Sequence, residues 1–288
     1  MLVAFSITSV ILLAEVIGAI LTGSLALVVD AGHMLTDAGG LGLALLAARL
    51  AGRPTSSRRT YGFARAEVLS ATAQAAVLLG VGLFVLVEGV QRLLHPPELA
   101  SGALIVFGII GLVGNVISIA VLASGRDANF NLRAAFLEVV NDALGSVAVI
   151  VAAIVIALTG WTRADAVAAI LIGVLILPRA FTLLRETIDV LLESVPKGLD
   201  LEAVRGHLLE VPHVQAVHDL HITQLSSALP VLTAHVVVED ECFRDGHAPA
   251  MLDALQACVA DHFKVQVEHS TFQLEPAAHA GHENEVHP

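Results

Sequence analysis

The sequence predicts a membrane-embedded, all-α domain of six transmembrane helices followed by a small α+β domain with element order αββαβ. Composition is the first reason. Hydrophobic residues make up 56% of the chain, charged residues 15%, and the mean hydropathy is +0.80, the profile of a polytopic membrane protein. The second reason is a set of six apolar runs, each long enough to cross about 30 Å of hydrocarbon. The third is a change of pattern near Val195, beyond which short alternating segments and amphipathic stretches replace the long apolar runs. A net charge of -12 argues against nucleic acid as a partner.

The spans are bounded approximately by Leu2 to Leu21, Leu25 to Leu50, Ala66 to Leu94, Leu104 to Ala123, Leu132 to Leu158 and Ala164 to Leu184. The first begins almost at Met1 and holds Glu15. At about 20 residues it is too long for the apolar part of a cleaved signal, so it reads as a membrane helix. Six spans return both termini to one side. Arg53, Arg58 and Arg59 follow the second span, Arg126 and Arg133 fall between the fourth and fifth, and Arg185 and Lys197 follow the sixth, whereas the opposite loops offer only Arg92 and Arg163. That asymmetry places both termini in the cytoplasm.

The soluble part starts with a helix from Asp200, as N-cap, to Val211, stopped by Pro212. Val214 to Gln224 and Val231 to Glu239 alternate around a turn at Ser226 to Pro230, which predicts a hairpin. His247 to Phe263 has helical periodicity, and Val265 to Leu274 alternates again. The result is a small open-faced sandwich of ferredoxin-like type. The expected divisions are a membrane domain over 1–194, a cytosolic domain over 195–276, and a disordered tail over 277–288 that carries His279, His282 and His287. Cys242 and Cys258 have no paired metal-ligand spacing and form no disulfide framework.

Chemistry is concentrated in two membrane spans. In Asp30-Ala31-Gly32-His33-Met34-Leu35-Thr36-Asp37, His33 and Asp37 are one helical turn apart on one face, with Asp30 extending that stripe. A charge at the centre of a membrane helix costs roughly 2.5 kcal/mol or more, so such residues are usually functional. Span five repeats the spacing in Glu138-Val139-Val140-Asn141-Asp142. Converging on one ion, His33, Asp37, Glu138 and Asp142 supply one imidazole nitrogen and three carboxylate oxygens, a tetrahedral set suited to Zn²⁺. The plainer reading of His33 with Asp37 is a hydrogen bond between helices, worth about 1 kcal/mol; the second pair tells against it.

With these stretches the chain resembles the cation diffusion facilitator family of metal/proton antiporters, of the zinc-transporting type. The similarity is carried by Gly23-Ser24-Leu25-Ala26-Leu27 leading into the stretch from Asp30 to Asp37, by Tyr61-Gly62-Phe63-Ala64-Arg65-Ala66-Glu67-Val68, by Asp142-Ala143-Leu144-Gly145-Ser146, and by His218-Asp219-Leu220-His221-Ile222. The resemblance implies a six-helix membrane domain with a cytosolic ferredoxin-like domain, a homodimer, and export of divalent metal against protons with the transported ion on His33, Asp37, Glu138 and Asp142. Zinc-transporting members usually have His at the position of Glu138. The extra carboxylate hardens the site and admits Cd²⁺, Co²⁺, Mn²⁺ or Fe²⁺ more readily.

The resemblance also implies a regulatory zinc site in the cytosolic domain. A hairpin symmetric about Ala228 sets His221 opposite His235, both matching family ligand positions, with a further ligand from His269 or Glu275 on the last strand. Thr223 stands where the family usually has Trp. Arg65 and Glu193 match a charge interlock of some relatives, although Arg65 also reads as a plain positive-inside anchor. His218, on the apolar face with Leu220 and Ile222, is expected to be an interior histidine rather than a ligand. Glu15, Gln74, Glu88 and Asn115 are expected to bond between helices. Two alternatives are a Mn²⁺- or Fe²⁺-preferring antiporter and a membrane-anchored metal sensor; an intramembrane metallohydrolase lacks its His-Glu-x-x-His motif. The short loop from Ser124 to Asn129 carries no histidine-rich insertion and points to a bacterial plasma membrane.

Overall fold

The computed structural model describes residues 2–51, 56–97, 101–123, 130–226, 229–263 and 265–280. Arg53, Arg126, the turn at Ser227 and Ala228, and His282 and His287 of the tail lie outside the described residues, as do the side chains of Asp37, Arg133 and Glu138. The chain divides into two compact units, one of residues 1–53 and 70–185, the other of residues 54–69 and 186–288.

The first unit is built on six helices, α1 (Leu2–Thr22), α2 (Leu25–Ala51), α3 (Ala64–Leu94), α4 (Ser101–Ala123), α5 (Phe130–Thr159) and α6 (Arg163–Leu191), and the division between units falls within α3 and α6. Among the described residues four helical stretches, in α3 to α6, are long and apolar enough to cross a bilayer, and α1 and α2 contribute shorter apolar stretches at Thr8–Thr22 and Leu25–Thr36. α6 continues seven residues past the apolar run, through Arg185-Glu186-Thr187-Ile188-Asp189-Val190-Leu191. Nothing in that segment breaks a helix, so backbone hydrogen bonding outlasts hydrophobicity.

Packing in this unit depends on small residues, as expected where lipid removes most of the hydrophobic drive between helices. A Cβ at Gly18 of α1 would lie 2.5 Å from Phe107 of α4, and one at Gly114 of α4 would lie 2.5 Å from Ile11 of α1, so the two glycines let these helices approach closely. Leu25, Leu27, Val85, Leu104, Val149 and Ala169 are buried at the centre, while Ile20, Leu158 and Leu175 on the outside are more than three-quarters exposed. That inversion of a soluble surface is what lipid contact requires.

The second unit holds α7 (Leu201–Leu209), β1 (Val214–Ser226), β2 (Leu229–Val238), a 3₁₀ turn at Asp240–Phe243, α8 (Ala248–Asp261), β3 (His269–Glu275) and a single turn, α9 (Ala277–Ala280). Asp200 caps α7 by accepting from Glu202 N at 3.0 Å. The sheet order is β1-β2-β3, with β1 and β2 antiparallel and β2 and β3 parallel. Val204 and Leu208 of α7 and Leu255 and Val259 of α8 pack with Leu232 and Val236 of the sheet.

Four expectations are corrected here. His235 pairs with His218, not His221, which faces Thr233. The cause is twofold: Ser226 pairs directly with Leu229, so Pro230 belongs to the strand opposite Gln224, and the ladder slips between His218 and His221, where Asp219 adopts φ +47. β3 begins at His269 rather than Val265, because the preceding segment bonds back to α8 through Val267 N to Val259 O at 3.2 Å. Residues 277–280 form α9, secured by His279 N to Pro276 O at 2.9 Å, instead of joining a disordered tail. Glu88 bonds Arg92 one turn along its own helix at 3.0 Å, not a neighbouring helix.

Candidate metal centre

In the membrane unit, α2 presents His33 and α5 presents Asp142, both nearly sealed, with side chains 9% and 6% exposed. His33 Nε2 lies 3.1 Å from Asp142 Oδ1, an oxygen that accepts no hydrogen bond among the described residues. The two atoms are within ion-pair range, and their spacing also suits joint coordination: a tetrahedral ion with bonds of 2.0–2.1 Å separates its ligands by about 3.3 Å. Asp37 and Glu138 stand one turn away on the same two helices, at positions 37 and 138, and their side chains lie outside the described residues.

A belt of buried polar groups adjoins this pair. Asp30 is 3% exposed, its Oδ1 lies 3.2 Å from where a Cβ on Gly145 would stand, and its carboxyl is within hydrogen-bonding reach of Glu15. Glu15, 1% exposed on α1, fits because Gly111 of α4 has no side chain: a Cβ there would come within 2.9 Å of Glu15 Oε1. Asn115 Nδ2 donates to Ser146 Oγ at 3.3 Å, joining α4 to α5, and the Gln74 side-chain amide donates to the Thr36 carbonyl, joining α3 to α2. These are the bonds between helices that single polar residues within spans predict.

The second unit gathers another constellation. His218, His235 and Glu275 each offer a ligand atom, all within 4.8 Å of one another. His218 Nε2 bonds Glu275 Oε1, and His235 Nδ1 lies 3.9 Å from Glu275 Oε2, with Glu275 itself 1% exposed. His221 bonds Asp219 at 2.9 Å, and Asp219 in turn lies 3.9 Å from His235, so His221 stands one residue removed. His269 starts β3, roughly 20 Å along the strand from Glu275 at 3.3 Å per residue, and its Nε2 instead meets Tyr61 Oη at 3.4 Å. His218 is therefore the residue that its apolar neighbours disguised: pairing with His235 turns it toward Glu275.

Residues 1–192 match the family model described as Cation efflux transmembrane domain, and residues 196–277 match that described as Cation efflux protein, cytoplasmic domain. The metal cation efflux system protein CzcD of Cupriavidus metallidurans is 42% identical over 275 residues, covering 96% of this chain and 85% of that one. The zinc transporter ZitB of Escherichia coli is 39% identical over 277 residues, covering 96% and 86%. The cadmium, cobalt and zinc/H⁺-K⁺ antiporter of Bacillus velezensis is 35% identical over 288 residues, covering 99% and 90%. The chain belongs to the cation efflux family. It is an integral membrane transporter and not an enzyme.

In this cation efflux protein, a carboxylate that motif reasoning missed sets the site helix in place. Asp165 of α6, 1% exposed, accepts from Leu25 N at 2.7 Å, from Ala26 N at 3.4 Å and from the Ser24 hydroxyl, and thereby caps the N-terminus of α2 from another helix. Gly23, at φ +69, makes the tight turn that exposes those N–H groups, and Arg92 Nη1 of α3 donates to its carbonyl at 2.5 Å. An acidic residue at position three of its own helix carries no signal of a partner 140 residues away.

Arg65 Nη2 donates to Glu193 Oε1 at 2.6 Å, with side chains 43% and 59% exposed. Water screens a pair this open. A double-mutant cycle of Arg65→Ala and Glu193→Ala read by thermal unfolding should give a coupling below about 1 kcal/mol. A larger coupling would mean that the pair is buried in the assembled protein.

Proposed function

We propose that this protein exports Zn²⁺ from the cytoplasm in exchange for protons, with His33, Asp37, Glu138 and Asp142 carrying the ion. The observation that supports this most directly is the 3.1 Å approach of His33 Nε2 and Asp142 Oδ1, two buried donor atoms from different helices. Metal and protons compete for the same atoms, because a ligand must be deprotonated to bind. Facing the cytoplasm, the site releases protons to take zinc; facing outward at lower pH, it takes protons back and releases zinc, imidazole being the side chain whose unperturbed titration lies nearest neutrality. The names of relatives agree: one is a zinc transporter, and another pairs cadmium, cobalt and zinc with protons and potassium. We place the protein as a homodimer in a bacterial inner membrane with both termini cytoplasmic, with a membrane domain over 1–194 and a cytosolic domain over 195–276. Regulatory zinc binds at His218, His235 and Glu275, with His221 acting through Asp219.

The test is zinc flux in proteoliposomes under an imposed pH gradient. Zinc should move opposite to protons and reverse direction when the gradient is reversed; flux that ignores the gradient's sign would reject proton coupling. The same vesicles test Glu138→His. Replacing a carboxylate by imidazole softens the ligand set, so uptake of the harder Mn²⁺ should fall relative to zinc. An unchanged ratio would remove Glu138 from the selectivity argument.

A further inference from the structure

Outside both constellations, four residues around the loop between β2 and α8 form another arrangement of metal-ligating chemistry. His213 Nδ1 donates to Glu239 Oε2 at 2.8 Å, and His247 Nδ1 donates to Asp245 Oδ2 at 2.7 Å. The two imidazoles lie side by side, with ring centroids 6.1 Å apart and planes 27° from parallel. Each pair is also held through its backbone: Glu239 N donates to His213 O at 3.1 Å, and His247 N donates to Asp245 Oδ1 at 3.0 Å. His213 keeps its place at φ +68, a conformation that costs a non-glycine residue roughly 1–2 kcal/mol.

We propose that His213 and His247 together bind a divalent transition-metal ion at the surface of the cytosolic domain, with Glu239 and Asp245 as positioning residues behind them. A neutral imidazole has one N–H and one lone pair. With both Nδ1 atoms committed to carboxylates, both lone pairs are on Nε2, and no described residue partners either Nε2. This is the carboxylate–histidine arrangement that orients metal-ligating histidines and raises their basicity. An ion 2.0–2.1 Å from each Nε2 sits about 3.2 Å from each centroid, which puts tetrahedrally bridged rings about 5 Å apart. The rings stand 6.1 Å apart, so binding requires them to approach by about 1 Å, with the carboxylates following, a movement open to side chains 49% and 61% exposed.

The ligand type selects the ion. Two imidazoles with water in the remaining positions suit Zn²⁺, Cu²⁺, Ni²⁺ or Co²⁺ and not Ca²⁺ or Mg²⁺, which take oxygen. Asp240 and Glu241 beside Glu239 add an acidic field that raises the local concentration of cations. The thiol of Cys242, in the same loop, is not a ligand: it is 2% exposed in the core, and burial, with Asp245 and Glu239 next in effect, pushes its titration up. This site shares no residue with the transport or regulatory constellations and does not depend on the transport reading.

The experiment uses the full-length protein in detergent, stripped of metal and titrated with Cu²⁺, in an Asp142→Ala/His235→Ala background that disables the other two constellations. Electron paramagnetic resonance counts coordinating nitrogens while the number of tightly bound ions is measured. His213→Asn, which tolerates the left-handed backbone, and His247→Ala should each remove the same single ion per chain and its two-nitrogen signature. The double variant should remove no more. Glu239→Gln should keep the ion but weaken it by roughly tenfold or more, an effect that packing alone would not produce. Variants that bind as many ions with unchanged spectra, or single losses that add to two ions in the double variant, would overturn the proposal.

Discussion

Asp142→Ala should abolish gradient-driven zinc uptake and leave the melting temperature unchanged or raised. Asp142 is buried against His33, and its Oδ1 accepts no hydrogen bond among the described residues. A carboxylate kept there for packing would need donors, since an unsatisfied buried charge costs several kcal/mol. Removing it relieves that cost while deleting a proposed ligand. Loss of an outer-shell partner alone typically weakens metal binding 10–100-fold, so loss of the ligand should reduce uptake by at least about a hundredfold. Zinc flux in proteoliposomes and thermal unfolding in detergent read the two effects separately. Retained transport with a lowered melting temperature would make the pair a bond between helices, and metal sensing by the cytosolic domain would become the leading function.

Asp165→Ala gives the opposite signature. The carboxylate satisfies the N–H groups of Leu25 and Ala26 and the hydroxyl of Ser24, all within a sealed interface between α6 and α2. Loss of an N-cap costs about 0.5–2 kcal/mol, and a buried N–H left without an acceptor costs about 1–3 kcal/mol more. A combined loss of about 2–4 kcal/mol lowers the melting temperature by roughly 5–15 °C for a domain of this size. Asp165→Asn, which keeps one acceptor oxygen, should lose about half as much. Zinc affinity measured at equilibrium should change far less than in Asp142→Ala, because Asp165 holds the helix and not the ion. An unshifted melting temperature together with lost zinc binding would move Asp165 into the ion pathway.

Much of the architecture follows from one-dimensional pattern. Apolar runs of about 20 residues or more have few alternatives to crossing a membrane, and the family matches and the long apolar helices agree with that reading. The spacing of His33 with Asp37 and of Glu138 with Asp142 is likewise a property of the helix, so same-face placement needs no tertiary information. Strand register is different. Side chains alternate with a period of two, and a slip at one residue redirects everything beyond it. A hairpin centred one position early, with an irregularity at Asp219, is enough to exchange His221 for His218 opposite His235.

The sequence by itself determined the class of protein, the two helices that carry the paired ionisable residues and the order of the elements after them, because hydrophobic length and periodicity are local properties of the chain. Only the tertiary structure decided that His33 of α2 meets Asp142 of α5, that Asp165 caps α2 across 140 residues, and that His213 and His247 stand side by side. Those contacts join residues far apart along the chain. They arise when separate elements bury their surfaces against one another, and no local spacing encodes which polar groups that burial brings face to face.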